Sequence, residues 1–395
     1  MGKLSLYNSM SARREPLLPG DPPRTTMFVC GPTVQSPMHL GHARTYIFYD
    51  ALARYLRHLG YDVEYLMNIT DMDEAITAAA RRARQDPLEY SARMSASYIE
   101  DMKRLGVETV SRFEPVSGHV GEMIRQVSAL VDGGFAYEAD GWVYFDTTKF
   151  PRFGALSHQS REELAMRPLE LSSKKRNLSD FALWRPETLV DGRWDSPWGR
   201  GSPGWHIQDT AVTIPSLGPQ YDIHGGAYEL IYPHHEAEIA QGESLTGVVP
   251  MVRHWVHTNL LNMEGQKMSK SRGNVVSVRG ALKTCSSAEI RFCFLSMHYR
   301  KEGDLSGLSA ARRRLASIRR MAAEIGNQDV EEGHSLAPFE RALNDDFDSP
   351  KALRWVEGTL KTATRLGDRV KARELASSAA EAMSILGVDL FESSR

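Results

Sequence analysis

Short apolar runs alternate with amphipathic segments from residue 24 to about residue 280. Residues 26–30 (TMFVC) form one such run and are typical of a buried strand, whereas the apolar positions of residues 43–59 recur with the period of a helix. A parallel sheet covered by helices requires this alternation. The pattern therefore predicts an α/β fold over most of the chain.

Two other regions have patterns of their own. A helix predicted over residues 120–133 is followed by a strand-like run at 142–145 and by polar loops. From residue 309 onward the pattern is almost entirely helical, with Gly387 as a C-cap. The C-terminal helices are predicted over 309–325, 336–343, 350–366 and 370–386. We therefore predict four segments: the first half of the main α/β domain (1–109), a connective α/β insertion (110–200), the second half of the main domain (201–308) and a helical bundle (309–395).

The composition disfavours a strongly basic polyanion-binding protein, a disulfide-rich protein and a membrane-spanning protein. The chain has 395 residues and a net charge of −2, so there is no overall basic field to attract a polyanion. Cys30, Cys285 and Cys293 are too few for a disulfide framework, and neither a signal peptide nor an apolar run of about 18 residues occurs. We expect a cytoplasmic protein. The basic stretch 312–320 is either a local contact for nucleic acid or a solvent-exposed helix face.

The turn His39-Leu40-Gly41-His42 lies between the predicted strand and the predicted helix. Gly41 allows a nucleotide to approach the backbone, and the helix N-terminus favours a phosphate group. The imidazoles of His39 and His42 can donate hydrogen bonds to phosphate oxygens. Alone, two histidines beside a glycine turn are a weak signal.

A second candidate for phosphate binding is the segment Lys267-Met268-Ser269-Lys270-Ser271. Its two lysines and two serines, between Gly265 and Gly273, can close over a triphosphate and stabilise pyrophosphate as it leaves. On its own such a segment is also typical of a solvated basic loop. Together and in this order, the two motifs predict that ATP, with Mg²⁺, activates a carboxylate through positioning and electrostatics, without a covalent enzyme intermediate.

With their neighbours, these motifs resemble those of the cysteinyl-tRNA synthetase family, which belongs to the class I aminoacyl-tRNA synthetases. The neighbouring motifs are Cys30-Gly31-Pro32-Thr33-Val34, Asn68-Ile69-Thr70-Asp71, Lys174-Lys175-Arg176-Asn177, Trp194-Asp195-Ser196-Pro197-Trp198-Gly199, Gly204-Trp205-His206-Ile207, Asp222-Ile223-His224-Gly225-Gly226 and Pro233-His234-His235-Glu236. The resemblance extends from about residue 4 to about residue 390. It implies a Rossmann-type catalytic domain formed by 1–109 and 201–308. It also implies catalytic roles for His39, His42, Lys267 and Lys270, and ATP contacts at Gly41, Ser269, Ser271, Gly225 and Gly226.

One set of residues indicates a metal site. His234 and Glu238 are four positions apart at the start of a predicted helix, so they share a face with a spacing suited to a metal. The resemblance implies zinc held by two cysteines, a histidine and a glutamate, with the thiolate of the substrate cysteine bound to the metal. Cys30, His234 and Glu238 match three of these ligands, and Asp209 replaces the second cysteine. Taken alone, Cys30 is equally typical of a small buried residue.

The replacement at Asp209 leaves two interpretations open. A carboxylate is a chemically reasonable zinc ligand, which predicts a Zn²⁺ site of one sulfur, one nitrogen and two oxygen ligands. Alternatively, zinc has been lost, and Asp209 pairs with an amino group or a polar side chain of a different substrate.

The amino-acid substrate is expected beside Gly31, Thr33, Thr70, Trp205 and Asp209, although Trp205 is equally typical of a core aromatic. Differences from the family motifs occur in this pocket and spare the ATP motifs. They are Gln35-Ser36 for Tyr-Asp, Gly225-Gly226-Ala227-Tyr228-Glu229-Leu230 for Gly-Gly-Gly-Ala-Asp-Leu, His257-Thr258-Asn259 for His-Thr-Gly, and Ala237 for Asn. We therefore expect the substrate to be cysteine or a related amino acid.

Asp71 precedes a helix predicted over 74–83. It could form a magnesium pair with Asp73, but capping a helix is the more common role for such a residue. We predict that Asp71 is the N-cap.

The acceptor of the activated group decides the function. Residues 343–353 (LNDDFDSPKAL) resemble the helical bundle of the family, but the chain stops at Arg395, where tRNA-charging members continue into a small anticodon-recognising domain. In length and ending the chain resembles a family offshoot, the mycothiol-pathway cysteine ligases. We predict an ATP-dependent ligase that passes the aminoacyl group of an adenylate to a small-molecule amine or another non-standard acceptor. A tRNA acceptor is the first alternative, and a non-catalytic binding paralogue, which the intact ATP motifs disfavour, is the second.

Overall fold

The computed structural model describes residues 3–167, 172–187, 194–268, 273–326 and 335–391. Its strands are β1 (Ser5–Asn8), β2 (Arg13–Pro16), β3 (Arg24–Val29), β4 (Asp62–Ile69), β5 (Arg112–Pro115), β6 (Ala136–Ala139), β7 (Trp142–Phe145), β8 (Phe181–Pro186), β9 (Gly201–Pro203), β10 (Tyr221–Ala227), β11 (Val252–Thr258), β12 (Leu261–Met263), β13 (Gln266–Lys267) and β14 (Gly303–Asp304). Its α-helices are α1 (Leu40–His58), α2 (Glu74–Ala83), α3 (Pro87–Arg104), α4 (Val120–Asp132), α5 (Arg161–Ala165), α6 (Ile207–Leu217), α7 (Glu236–Thr246), α8 (Val278–Ala281), α9 (Ser287–Leu295), α10 (Leu308–Ile325), α11 (Ala337–Asn344), α12 (Ser349–Ala363) and α13 (Arg369–Ile385).

A parallel sheet in the order β11-β10-β3-β4-β5 forms the centre of the molecule. Strands β3 and β4 are buried along almost their whole length, as expected where helices cover both faces of a sheet. The chain runs from β3 to β4 and β5, and later returns at β10 on the other side of β3. Such a change of direction opens a crevice at the carboxyl ends of the central strands, where ligands bind in α/β sheets. The predicted parallel α/β fold is confirmed.

The predicted insertion contains an antiparallel sheet in the order β6-β7-β8-β9. Helix α4 and strand β7 lie where the sequence pattern predicts them. However, β5 pairs with β4 in the central sheet, and β9 pairs with β8 in the sheet of the insertion. Strand β5, within the predicted insertion, therefore belongs to the central sheet, and strand β9, beyond the predicted end of the insertion, belongs to the insertion's sheet. The domain boundaries stay a prediction.

The C-terminal region is helical, and α10 to α13 begin and end within a few residues of the predicted helices. Buried Arg291 on α9 connects this region to the central domain, because Nη2 donates to Asp50 Oδ2 at 2.6 Å and to the Leu386 carbonyl oxygen at 2.9 Å. Gly387 follows α13 with a φ of +71°, as predicted for a glycine at the end of a helix. A Cβ atom at this position would also collide with the Arg291 guanidinium group.

The basic stretch 312–320 lies on α10. Arg312 Nε lies 3.1 Å from Glu289 Oε1, and Arg314 Nε lies 2.6 Å from Glu357 Oε2. These ion pairs favour a solvated helix face over a site for nucleic acid. Among the described residues, no helix has the combined length and apolar character needed to cross a membrane.

Candidate active site

The first ATP motif forms the start of α1. His39 is the N-cap residue, and its Nδ1 atom accepts hydrogen bonds from the backbone N–H groups of Gly41 at 3.1 Å and His42 at 3.4 Å. The two imidazole rings stack with their centroids 3.7 Å apart. Because Nδ1 accepts, the neutral His39 ring carries its proton on Nε2. A Cβ atom at position 41 would lie 2.9 Å from the His39 ring, so the close approach of ring and backbone requires glycine.

Backbone hydrogen bonds join this turn to the segment that follows the second ATP motif. Leu40 N donates to Val276 O at 3.0 Å, and Val278 N donates to Met38 O at 2.9 Å. Both motifs therefore lie on the same side of the crevice. Of the second motif, Ser269, Lys270 and Ser271 and the side chain of Lys267 lie outside the described residues.

Arg44 joins α1 to the segment that precedes the second motif. Its guanidinium group is buried, and Nη1 donates to the carbonyl oxygen of Asn259 at 2.8 Å and to that of Leu260. Nη2 donates to the carbonyl oxygen of Lys301. Burial lowers the pKa of Arg44 to about 10, so the side chain stays charged at neutral pH. The segment with the second motif is thus attached to α1 on both sides.

Gly225 and Gly226, near the end of β10, make room for the protein's own side chains. A Cβ atom at position 225 would lie 2.5 Å from the Tyr49 ring, and one at position 226 would lie 2.8 Å from the His235 ring. The Tyr49 hydroxyl also accepts a hydrogen bond from Gly226 N at 2.8 Å. Packing accounts for both glycines, and their contact with ATP stays a prediction.

Strands β3 and β4 end side by side at the crevice. Gly31 N donates to Asn68 Oδ1 at 2.6 Å, and a Cβ atom at position 31 would lie 1.7 Å from the Asn68 carbonyl oxygen. Beyond the strands, Thr33 and Thr70 form a parallel bridge. The predicted substrate contacts Gly31, Thr33 and Thr70 therefore lie together at the carboxyl edge of the sheet.

The predicted metal ligands form a buried cluster, which we call the Cys30 cluster: Cys30, Asp209, His234 and Glu238. Ligand atoms of the first three lie within 4.8 Å of one another. His234 Nε2 lies 3.2 Å from Asp209 Oδ2 and 3.2 Å from Glu238 Oε1. Cys30 follows β3, Asp209 lies on α6, Glu238 lies on α7, and His234 lies in the wide helical turn directly before α7. The fold thus brings together residues from three separate parts of the chain.

Asn68 fixes the orientation of Asp209. Asn68 Nδ2 donates to Asp209 Oδ1 at 2.8 Å, while Asp209 Oδ2 faces His234. Both side chains are buried, and Asn68 is held in turn by Gly31. One carboxylate oxygen is therefore occupied by the protein, and the other points to the Cys30 cluster, as in a carboxylate that binds a metal through one oxygen. Nothing in the sequence pattern singles out Asn68 beyond its place two residues before Thr70.

The Cys30 cluster lacks positive charge. Among the residues that the structure describes, Asp209 and Glu238 form ion pairs only with histidines, and neither Glu238 oxygen has a hydrogen-bond partner. Burial, with the charge of Asp209, raises the pKa of Glu238 well above its usual value. Burial also raises the pKa of the Cys30 thiol, with a contribution from Asp209 and Glu238. A divalent cation would supply the missing charge and favour the ionised ligands, so these residues fit a metal.

Four more histidines, which the sequence pattern does not single out as site residues, surround the Cys30 cluster. His234 Nδ1 lies 2.9 Å from His206 Nδ1, and His235 Nδ1 lies 2.8 Å from His257 Nε2. The four are His206, His224, His235 and His257. Burial lowers the pKa of His257 to about 3 and lowers the pKa of each of the other three well below its usual value, so all four are neutral at pH 7. Each lies in a family-like motif, but only the fold shows that they meet.

Trp205 packs against a predicted metal ligand and is also partly exposed. Its indole ring stacks on His234 with centroids 4.2 Å apart and an interplanar angle of 12°. The side chain is only half-buried, so one part packs against the Cys30 cluster while another part faces the crevice. Its contact with the amino acid stays a prediction.

The prediction that Asp71 caps the helix after it is wrong. Asp73 directly precedes α2, and its Oδ1 atom accepts a hydrogen bond from Ala75 N at 2.7 Å. Asp71 instead accepts hydrogen bonds from the backbone N–H and the hydroxyl group of Ser117. An N-cap must be the residue before the first helical position, and Asp73 holds that place.

The fold is similar to that of known synthetases. Methionyl-tRNA synthetase of Mycobacterium tuberculosis, in complex with methionyl-adenylate, matches 92% of this chain and 90% of its own with a TM-score of 0.66. A putative arginyl-tRNA synthetase of Campylobacter jejuni matches with a TM-score of 0.63. Sequence identity is 14% in both cases, so these similarities concern the fold alone.

Similarity to curated relatives extends to the sequence. A cysteine–tRNA ligase of Thermoplasma acidophilum is 40% identical over 361 residues, which cover 89% of this chain and 80% of the relative. A cysteine–tRNA ligase of Heliobacterium modesticaldum is 38% identical over 418 residues, covering 98% and 87%. The family model described as tRNA synthetases class I (C) catalytic domain matches residues 17–312. The chain therefore belongs to the cysteinyl-tRNA synthetase family and is an ATP-dependent ligase.

Proposed function

We propose that the protein forms cysteinyl-adenylate from cysteine and ATP and transfers the cysteinyl group to tRNA. Both relatives described above are named cysteine–tRNA ligases, and each is matched over most of its length. The small-molecule amine expected from the sequence has no support among these relatives. The tRNA acceptor, which was the first alternative, therefore replaces it.

The observation that carries the proposal is the Cys30 cluster, whose first residue directly follows strand β3, which leads into the ATP turn. Cys30, Asp209, His234 and Glu238 would hold a Zn²⁺ ion with one sulfur, one nitrogen and two oxygen ligands. When bound, zinc would act as a Lewis acid that stabilises the thiolate form of the substrate side chain. Because two of the ligands are carboxylates, the site is a harder one than a site with two cysteines.

The chain's own residues would orient the reactants. Trp205, which stacks on His234, and Thr70, which bridges to Thr33 at the carboxyl edge of the sheet, would hold the amino acid with its carboxylate towards the ATP turn. The carboxylate oxygen then bonds to the α-phosphorus of ATP while the bond to pyrophosphate breaks. His39 and His42, with Lys267 and Lys270, would stabilise the charge that develops on the phosphates.

The test is transfer of labelled cysteine. The purified protein is incubated with ATP, radiolabelled cysteine and unfractionated bacterial tRNA, with glucosamine as a competing amine acceptor. We expect label on tRNA in an ester that mild alkali releases. Label on glucosamine, or on neither acceptor while the adenylate still forms, would contradict a tRNA acceptor. Failure to form any adenylate would favour the non-catalytic paralogue.

A further inference from the structure

The second ATP motif begins in a small sheet that is separate from the central parallel sheet. Strand β12 pairs with β13 in antiparallel fashion and with β14 in parallel fashion, so the order is β13-β12-β14. Lys267, the first residue of the motif, ends β13 and pairs with Asn262 of β12. The backbone N–H of Met268 donates to the Leu261 carbonyl oxygen at 3.2 Å. The backbone position of the first two residues of the motif therefore depends on where β12 and β13 lie.

A two-residue turn, Glu264-Gly265, joins β12 to β13. Both residues have a positive φ, +52° at Glu264 and +73° at Gly265. Hairpin turns with this conformation favour glycine, asparagine or aspartate at both positions, so Glu264 is an unfavourable residue in its place. The turn is thus only weakly supported by its own sequence, and a contact with another part of the chain would stabilise it.

Asp304, at the end of β14, makes such a contact. Its Oδ2 atom accepts a hydrogen bond from Gly265 N at 2.8 Å, and its Oδ1 atom accepts one from Ser306 N at 2.7 Å. One carboxylate therefore holds the hairpin turn and also caps the short helical turn Leu305–Gly307. Hydrogen bonds from Ser306 and Gly265 lower the pKa of the Asp304 carboxyl group, so it is ionised at neutral pH. Hydrogen bonds to an ionised acceptor are stronger than those between neutral groups.

Asn259 makes a second connection between the same two parts of the chain. It stands where the resembled His-Thr-Gly motif has glycine. Its Nδ2 atom donates to the Arg300 carbonyl oxygen at 3.0 Å, and its Oδ1 atom accepts a hydrogen bond from Leu260 N at 2.7 Å. A glycine could form neither bond. The side chain of Asn259 thus joins the residues before β12 to the residues before β14.

Resting on the proposed function, we infer that Asp304 is a positioning residue for adenylate formation, which acts by fixing the hairpin turn that precedes the second ATP motif. Its carboxylate contacts neither ATP nor cysteine. It holds Gly265, two residues before Lys267, and so sets the backbone position at which the motif begins. A misplacement of about 1 Å in a group that acts on the reacting atoms can slow a reaction about a hundredfold. Asn259 supports the same arrangement from the other end of β12.

Asp304→Asn tests the contact with Gly265 while a helix-capping residue is kept. Asparagine has one accepting oxygen, which can serve Ser306 N, and its NH2 group then faces the Gly265 N–H. We expect kcat for ATP–pyrophosphate exchange to fall about tenfold. The KM for cysteine should not change, because the proposed cysteine site lies at the ends of β3 and β4. The matched control is Asp368→Asn, since Asp368 caps α13 and likewise accepts from the N–H two residues on, that of Val370. This control should exchange as fast as the wild type.

Asp304→Ala separates the contact with Gly265 from the helix cap. This variant lacks both hydrogen bonds, so its kcat should fall as far as that of Asp304→Asn, while its Tm should be the lower of the two. A normal kcat in Asp304→Asn with a reduced kcat in Asp304→Ala would assign the effect to the cap and overturn the inference. A normal kcat in both variants would do the same. A rise in the KM for cysteine that parallels the fall in kcat would indicate a general structural loss and would also overturn it.

The outcomes separate the inference from the proposed function. If Lys270→Ala exchanges as fast as the wild type, the role proposed for the second ATP motif fails, and the inference about Asp304 fails with it. If Lys270→Ala is slow while Asp304→Asn is as fast as the wild type, only the inference fails. If Asp304→Asn slows exchange in the expected way but the wild-type protein charges no tRNA, the inference holds and only the tRNA acceptor is wrong.

Discussion

The two sides of the crevice are built differently. On the side of the predicted metal site, the side chains of Asp209, His234 and Glu238 are at most 1% exposed, and contacts between side chains hold them in place. On the ATP side, His39 and His42 are only half-buried, and backbone hydrogen bonds position their turn. The first side is a closed network, and the second is an open turn next to a basic segment.

This difference affects which amino-acid substitutions each side of the crevice can accommodate. A substitution in the closed network alters charge and hydrogen bonding at every neighbour, so it requires a matching partner. Asp209, in the place of the second cysteine of the resembled motif, has such a partner in Asn68. If His39 and His42 donate hydrogen bonds to the phosphates of ATP as predicted, a substitution at either residue would remove a donor from the ATP turn. The ATP motifs accordingly keep the family pattern.

The largest effect is expected on the ATP side. Lys270→Ala should slow adenylate formation by about two to four orders of magnitude, because a charge partner of the leaving pyrophosphate is lost. The measurement is ATP–pyrophosphate exchange, with exposed Lys351→Ala as the matched control. Zinc content should be the same in both variants. Exchange as fast as in the wild type would remove Lys270 from the mechanism.

An intermediate effect is expected from the contact that holds Asp209. Asn68→Ala should weaken zinc binding by about tenfold to a hundredfold, since residues that orient metal ligands have effects of this size. Competition with a chromophoric chelator measures the affinity, and Asn262→Ala, which removes an exposed hydrogen bond to Glu302 instead, is the control. Unchanged zinc affinity in correctly folded Asn68→Ala would show that the hydrogen bond does not tune a metal ligand.

The smallest effect is expected from restoring a sulfur ligand. Asp209→Cys should still bind zinc, but it should favour Cd²⁺ over Zn²⁺ by about fivefold more than the wild type, because thiolates prefer softer ions. Titration of the metal-free protein with both ions measures this ratio. A ratio equal to that of the wild type would place Asp209 outside the coordination shell.

Local sequence patterns sufficed for much of the fold. The apolar periodicity predicted helix 350–366, close to α12, because a helix of this kind buries one apolar stripe in the core. The apolar run 26–30 predicted a strand close to β3, because a central strand buries both of its faces. The family resemblance, rather than spacing alone, implied that Cys30, Asp209, His234 and Glu238 form one metal site. Ligand atoms of Cys30, Asp209 and His234 do lie together, and Glu238 Oε1 lies 3.2 Å from His234 Nε2.

Other features depended on contacts that no local pattern contains. Asn68 and Asp209 are 141 positions apart, and their hydrogen bond exists only because β4 ends beside α6. The four buried histidines meet for the same reason. The error at Asp71 was local: two aspartates precede α2, and the exact start of the helix decides which of them caps it.

In the proposed function, the Cys30 cluster holds a metal that selects cysteine for adenylation. The most direct test is ATP–pyrophosphate exchange by the wild-type protein against all the standard amino acids, before and after removal of metal with a chelator. We expect exchange with cysteine alone, loss of exchange after chelation and recovery on addition of Zn²⁺. Exchange with a different amino acid, or exchange with cysteine that persists after complete removal of metal, would contradict the claim.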